Sequence, residues 1–455
     1  MKIYFDTYDK ALDFIYSQID FSLTKQQRYS EEVFNLDRMR QFMHRLGNPQ
    51  NTYKTIHVAG TKGKGSISAM IASVLVSAGY QTGFYSSPHM LDYTERIQVN
   101  GASIKSDDFL DIVNEIYPII QEVHGLTTFE ITTAIAFQHF MKKEIDFGVI
   151  EVGLGGRLDA TNIITPEVSV IASISLDHMA ILGDTIEAIA SEKAGIIKKG
   201  VPVVVSPQKK SVMRVFEEKS KQEGAQIYKN TELVKYHSRS STLEAQDFTI
   251  SFPTSIMHND GIGDVEHMQI QIPLLGKHQM ENAGTAFCVL KILQGNGFTI
   301  TEKNIQDGLR NVKWPGRFEI LQQQPFVIVD AAHNNESSLR LIETIQELFP
   351  LEKITLIFGA SEDKDIEGML RNFAQISKRI IFTKSTHPRA ADPEMMQKHI
   401  TSLLCDTIII EDVQEALKFA LKEAQEEEII VASGSIFIAA AVRETWFNIV
   451  KEKTI

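Results

Sequence analysis

The sequence predicts a two-domain α/β protein, on three observations. Short apolar, β-branched runs at 55–59, 83–85, 147–152, 168–174 and 202–205 alternate with helical stretches, the pattern of a parallel, doubly wound sheet. A second series at 326–330, 354–358, 379–383, 407–410 and 428–432 repeats the alternation. The chain of 455 residues also exceeds the roughly 250–300 at which a single core stops growing. The join falls where Trp314-Pro315-Gly316 breaks the helical pattern with a rigid turn. The expected domains are therefore 1–311 and 317–455, with 312–316 as linker.

Composition narrows the class. An apolar fraction of 43% and a charged fraction of 23% are those of an ordinary globular protein. Two cysteines, Cys288 and Cys405, cannot build a disulfide framework or a cysteine zinc site, which points to a reducing cytoplasm. Asp6, Asp9 and Asp13 interrupt any secretory apolar region near the start, and no run approaches the ~18 apolar residues of a membrane span. A formal net charge of −12 repels nucleic acid, so any phosphate site must be made locally. No nucleic-acid or membrane partner is expected, and a monomer working on small molecules is.

The first strand, 55–59, runs directly into Gly60-Thr61-Lys62-Gly63-Lys64-Gly65-Ser66. Glycines let backbone N–H groups crowd around phosphate oxygens, the following helix points its positive end at them, and Lys64 adds a mobile charge. ATP is the ligand this suggests. The helix is predicted by Ile67, Met70, Ile71, Val74, Leu75 and Ala78, which share one face at a 3.6-residue period. The P-loop pattern is imperfect, since Val58 stands where its first glycine would and Gly65 where its hydroxyl would. A glycine-rich turn with two solvated lysines is the plainer alternative.

Strand 147–150 ends at Glu151, in Glu151-Val152-Gly153-Leu154-Gly155-Gly156-Arg157-Leu158-Asp159-Ala160-Thr161-Asn162. Ligands of open α/β sheets sit beyond the carboxyl ends of strands, so Glu151 is placed to face phosphates through Mg²⁺, a hard ion that takes carboxylate oxygens. Loop capping, or pairing with Arg157, is the competing role. Strand 168–174 runs into Ser175-Leu176-Asp177-His178, and 83–85 into Ser86-Ser87-Pro88-His89. His178 and Ser87 are thus candidate metal ligands, although a lone histidine is usually structural. Residues 238–273 alternate apolar and polar on either side of a Gly/Asn/Asp-rich stretch, which predicts an antiparallel hairpin appended to the first domain. In the second domain, 326–329 ends at Asp330-Ala331-Ala332-His333-Asn334, with Arg317 shortly before it. Arginine's planar fork suits a migrating phosphoryl group, and the aspartate suits a ribose or orientation of His333. Each of these is equally compatible with a surface role.

Taken in order, the glycine loop, S-S-P-H-M-x-x-Y-x-E-R-I (86–97), E-V-G-L-G-G-R-L-D-A-T-N (151–162), L-D-H (176–178), E-K-A-G-I-I-K (192–198), H-x-x-x-N-A (278–283), P-G-R-F-E (315–319) and D-A-A-H-N (330–334) resemble the folylpolyglutamate synthase and dihydrofolate synthase family, relatives of the Mur ligases. The resemblance runs from about residue 30 to Arg443. It implies a P-loop domain followed by a smaller Rossmann-like domain. It also implies an ATP-dependent ligase that phosphorylates the carboxylate of a folate or dihydropteroate and lets the amine of L-glutamate displace phosphate. By resemblance, Ser87, Glu151 and His178 hold Mg²⁺, Lys64 binds phosphate, and Lys193 is a carbamylated lysine. Asn282, Arg317 and Asp330 contact nucleotide with residues 60–66, whereas His333, Ser433 and Ser435 receive glutamate. Tyr85, Ser86 and Phe129 lie where the family places its pterin-bearing substrate. Lys62 replaces a common asparagine and Ala331 a common glycine. Rival readings are a Mur-type ligase acting on another carboxylate and a protein that hydrolyses ATP to change shape without joining anything.

Overall fold

The computed structural model describes residues 4–19, 36–253, 265–350, 352–400 and 405–454. The chain divides into two compact units: Met1–Ser238 with Phe248–Gln271 and Gln279–Val312, and Arg239–Asp247 with Ile272–His278 and Lys313–Ile455. Among the described residues no helix is long and apolar enough to cross a membrane.

The first unit is built on eight strands: β1 (Lys54–Ala59), β2 (Thr82–Tyr85), β3 (Ile97–Val99), β4 (Ala102–Ser103), β5 (Phe147–Glu151), β6 (Val168–Ile171), β7 (Val203–Val205) and β8 (Ile227–Lys229). Their order is β4-β3-β2-β5-β1-β6-β7-β8. Strands β2, β5, β1, β6, β7 and β8 run parallel, while β3 and β4 add an antiparallel edge. The chain leaves β1 for β2 on one side, returns to place β5 between them, then crosses to β6 on the other side. The end of β1 is thus a topological switch point, where open α/β sheets bind ligands.

Strands β2, β5, β6 and β7 are buried at every position. Burial on both faces demands continuous apolar runs, which is why these strands are legible in the sequence. Strand β6 stops at Ile171, three residues short of the expected 174. Ala172 N still bonds to Ala59 O, but the carbonyl of Ser173 is taken by Thr61 N and Lys62 N (2.8 and 3.0 Å), so the chain turns from the strand to the glycine loop.

Helices close the sheet on both faces. Helices Tyr8–Tyr16, Leu36–Arg45, Ser106–Glu122 and Thr128–Lys142 pool Ile15, Phe42, Phe109 and Phe137 in one core. Ile186–Ala194 and Lys210–Glu223 pack Ile189, Val212 and Phe216 onto Ile171, Val203 and Val205 in another. Helix Lys64–Ser77 departs from the one-sided pattern expected of it: residues 65–72, 74 and 75 are all buried, and Ala78 lies beyond it as the C-cap. Its outer side is covered by helix Glu302–Arg310. Gly308 makes that approach possible, because a Cβ there would run into Val74 Cα, and Ser73 Oγ donates to Gly308 O at 2.6 Å.

The expected hairpin is a three-stranded sheet, β9 (Lys235–Ser241), β10 (Gln246–Pro253) and β11 (Val265–Ile272), ordered β11-β10-β9. The added strand β9 is exposed along nearly its whole length, so it carries no apolar alternation to read. The Gly/Asn/Asp-rich stretch expected between the other two lies at 254–264, outside the described residues. The region is not wholly grouped with the first unit, since 239–247 and 272–278 belong with the second.

The second unit holds β12 (Glu319–Gln323), β13 (Phe326–Val329), β14 (Ile354–Phe358), β15 (Ser377–Phe382), β16 (Asp406–Ile409) and β17 (Ile429–Ser433), ordered β12-β13-β17-β14-β15-β16. All pairs are parallel except β12 with β13. Its two faces are covered by separate apolar clusters, one with Leu341, Met369 and Phe373, the other with Leu417, Ile438 and Val442.

Gly308→Ala is expected to destabilise the first unit by about 1–3 kcal/mol, the usual cost of forcing atoms into a filled core. Urea unfolding checks this, and an unshifted midpoint would show that helix Glu302–Arg310 gives way at no cost.

Candidate active site

The glycine loop is shaped by places where a side chain has no room. Gly60 has φ 150°, and its Cβ would stand 2.6 Å from Ala172 Cβ, so the loop leaves β1 pressed against the end of β6. Gly63, at φ 87°, caps helix Lys64–Ser77, and its Cβ would stand 2.5 Å from Asn282 Oδ1. Asn282, some 220 residues along the chain, is thereby brought onto the loop with its Nδ2 donating to Gln279 Oε1 (2.9 Å). Thr61 Oγ1 donates to Ser175 O at 3.2 Å. Gly65 and Ser66 are buried in the first helical turn, whose N–H groups have no partners within the helix and favour an anion.

Both loop lysines are held rather than solvated. Lys64 Nζ lies 3.8 Å from Glu151 Oε1, with side chains 17% and 5% exposed. Lys62 Nζ lies 3.4 Å from Asp177 Oδ2, with side chains 13% and 9% exposed.

Lys193, near both, is buried. Burial lowers its pKa to about 7, helped by the charges of Lys64 and Lys62 and opposed by Asp177 and Asp159. Its helix, Ile186–Ala194, is clamped to the loop after β5: a Cβ on Gly156 would stand 2.9 Å from Lys193 Cα, and Arg157 N donates to Glu192 O at 2.8 Å. Arg157 Nε and Nη2 also hold the Glu192 carboxylate, at 3.2 and 3.1 Å. Glu187 is bonded to Ser211. The two surface carboxylates that would keep Lys193 an ordinary paired lysine are thus engaged elsewhere.

A polar chain not singled out in the sequence stiffens the same loop. Asp159 accepts from Leu154 N (2.8 Å), Thr161 N (3.0 Å) and Thr161 Oγ1 (2.5 Å), and Thr161 Oγ1 accepts from His57 Nε2 (2.9 Å). Burial raises the Asp159 pKa and lowers that of His57 to about 3, so His57 stays neutral. Only the chemistry of Asp159 within its motif could have signalled this.

The expected metal ligands lie at or beyond the ends of three different strands. Glu151 ends β5 and is buried, Ser87 follows β2 and is half-buried, and His178 follows β6 with its side chain 42% exposed. His178 stands seven residues past the strand end, at φ 50°, where it caps helix Met179–Leu182. Among the described residues no group of three or more His, Cys, Asp or Glu forms a metal cluster. The buried Glu151 carboxylate and the Ser87 hydroxyl are nevertheless hard oxygen donors of the kind Mg²⁺ takes, and a set completed by phosphate and water fits that ion.

The expected substrate residues divide. Phe129 is half-buried with its ring against Gly153, which has no Cβ to obstruct it. Tyr85 does not present its ring to a ligand: it is 0% exposed, bonded through its hydroxyl to Thr133 Oγ1 at 3.1 Å, and packed 6.1 Å from Phe129 between centroids. Ser86 is buried, its N–H donating to Arg96 O.

In the second unit the turn after β13 gathers the others. Asp330 accepts from Phe318 N and Ala332 N, both at 2.8 Å, so its carboxylate ties the segment bearing Arg317 to the strand end. Arg317 is half-buried and donates through Nη1 to Gly316 O at 3.1 Å. His333 Nδ1 donates to Ala331 O at 2.9 Å, which fixes its ring at the end of β13. Ser433 is fully buried with Oγ 3.4 Å from Ala332 O, and Ser435 Oγ accepts from Ile438 N at 3.2 Å, so both serines shape the turn. Ala331 is absent from the described non-glycine residues with positive φ, so its Cβ carries no backbone strain.

Residues 58–290 match the Mur ligase middle domain, and 316–436 the Mur ligase glutamate ligase domain. A dihydrofolate synthase/folylpolyglutamate synthase of Bacillus subtilis is 33% identical over 447 residues, 97% of this chain and 99% of its own. The chain belongs to the folylpolyglutamate and dihydrofolate synthases of the Mur ligase family. The enzyme of the same name from Escherichia coli is 32% identical, covering 90% of each chain. Among solved members of the family, a Thermotoga maritima folylpolyglutamate synthase superposes with a TM-score of 0.81 at 33% identity, over 97% of this chain and 96% of that one. A Mycobacterium tuberculosis folylpolyglutamate synthase complexed with ADP gives 0.85 at 28% identity, over 96% and 99%.

Gly63→Ala is expected to abolish nucleotide binding, since it needs a positive φ and drives a methyl onto Asn282. Titration calorimetry with ADP is the check, and wild-type affinity in the variant would mean that the turn relaxes freely.

Proposed function

We propose that this ligase uses ATP to join L-glutamate to the carboxylate of a folate, and that dihydropteroate serves as a second acceptor. The observation that carries the reading is the pair of half-buried Lys64 and buried Glu151 at the switch point, 3.8 Å apart and near the buried Lys193. The B. subtilis relative is named for both activities, and a structural relative is an FPGS–AMPPCP–folate complex, 30% identical with a TM-score of 0.81.

A carboxylate is a poor electrophile until one oxygen becomes a leaving group. The acceptor carboxylate attacks the γ-phosphorus of ATP, the bond to ADP breaks, and an acyl phosphate forms. The glutamate amine then attacks the acyl carbon, phosphate leaves with the bonding pair, and the amine loses a proton. Lys64 stabilises the charge that moves toward the β/γ bridge, and the first-turn N–H groups hold the remaining phosphates. Arg317 is suited to the transferring group by its forked donors. His333, its ring fixed through Nδ1, is suited to orient the incoming amine. Glu151, Ser87 and His178 would hold Mg²⁺, which when bound neutralises phosphate charge. Phe129 offers an aromatic face for the pterin-bearing substrate.

Lys193 fits a carbamate. The modification needs a neutral amine, and a pKa lowered to about 7 supplies one near neutrality. The carbamate would put an anion, in place of an ammonium, near Lys62 and Lys64.

Phosphate release should require acceptor and glutamate together. Release that ignores both would instead identify a nucleotide-driven switch. Lys64→Ala should lower kcat on the order of 10²–10³-fold, the usual scale for one electrostatic donor, and near-normal turnover would transfer that role elsewhere. Lys193→Ala should lose activity and regain part of it with acetate. In the wild type, activation by CO₂ should rise as pH rises through about 7, because the amine is protonated below that value and neutral above it. A pH-independent response to CO₂ would count against the carbamate.

A further inference from the structure

The two lysines of the glycine loop are drawn to opposite flanks of β1. Lys64 reaches Glu151 at the end of β5, whereas Lys62 reaches Asp177 on the loop after β6, and the sheet order is β5-β1-β6. Asp177 is well placed to fix its lysine. Its side chain is 9% exposed, Oδ2 lies 3.4 Å from Lys62 Nζ, and Oδ1 accepts from the backbone N of His178 at 3.0 Å. The backbone of Lys62 is held on the same flank by Ser173 O.

The geometry points to Asp177 as a positioning residue for nucleotide: it pins Lys62 as a second cation, opposite Lys64, so that phosphates lying across the loop meet one positive charge on each side. The physical reason is entropic. A free lysine has four rotatable bonds to order when it meets a phosphate, and one already held at 13% exposure has lost most of that freedom. Both pairs are long for charged hydrogen bonds, which run ~2.7–2.9 Å, so neither carboxylate holds its lysine so tightly that a phosphate oxygen could not share it. The pairing also explains how this chain accommodates a lysine at 62: the extra charge has a built partner instead of adding uncompensated repulsion to Lys64 and Lys193.

This inference rests on the nucleotide-binding part of the function proposed above, and its test measures binding of ADP by calorimetry without acceptor or glutamate. Lys62→Met should weaken ADP roughly tenfold to a hundredfold, the range of a charged hydrogen bond, while Lys62→Arg should stay within about threefold of wild type if charge and reach are what count. Asp177→Asn should weaken ADP in the wild-type background and have no further effect in Lys62→Met, because a residue acting through another is non-additive with it. Circular dichroism melts check that each variant is folded. Unchanged affinity in Lys62→Met, or an equal loss from Asp177→Asn in both backgrounds, overturns the inference while leaving the ligase reading intact. A wild-type protein that fails to bind ADP overturns both.

Discussion

The first unit depends on a turn with no space for side chains. At Gly60 the chain passes within a Cβ's reach of Ala172, and at Gly63 it does the same with Asn282 while adopting a positive φ. These steric limits put the start of helix Lys64–Ser77 at the end of β1, between β5 and β6. The carboxyl ends of three parallel strands then deliver Glu151, the loop bearing Asp177 and the lysines to one region. A methyl group at Gly60 would press on the backbone of Ala172, and one at Gly63 would need a φ that side-chain-bearing residues rarely adopt.

Close packing elsewhere serves the same end by a different route. Gly156 and Gly195 let helix Ile186–Ala194 meet the loop after β5 backbone to backbone. Lys193 is thereby committed to the interior, and its proton affinity follows from that placement: desolvation comes first, the neighbouring ammonium groups second. Asp159 fixes the loop after β5 from within, accepting from Leu154 N, Thr161 N and Thr161 Oγ1. In the second unit Asp330 does comparable structural work, using both oxygens on backbone N–H groups beside Arg317.

Much of this was legible from local sequence. Strands buried on both faces must be apolar throughout, so 147–151 and 354–358 stand out, and a glycine cluster between strand and helix announces an anion site. Strand β9 was illegible because its side chains face solvent, and the early end of β6 because Ala172-Ser173-Ile174 reads as strand while its hydrogen bonds go to the glycine loop. The partner of Lys62 lies 115 residues away, a distance no window-based reading spans. Tyr85 was placed at the substrate by resemblance alone, and local sequence carries no sign that its ring is buried against Phe129.

The contact between Gly308 and Val74 bears on how this protein can move. Ridges of side chains ordinarily let packed helices slide by small amounts, but a backbone seated against backbone, with Ser73 latched to the Gly308 carbonyl, acts as a detent. The helix that begins at Lys64 is therefore a fixed axle within its unit. The placing of the two lysines at its start is thus set in part by a contact near the other end of the same helix, around Ser73 and Val74.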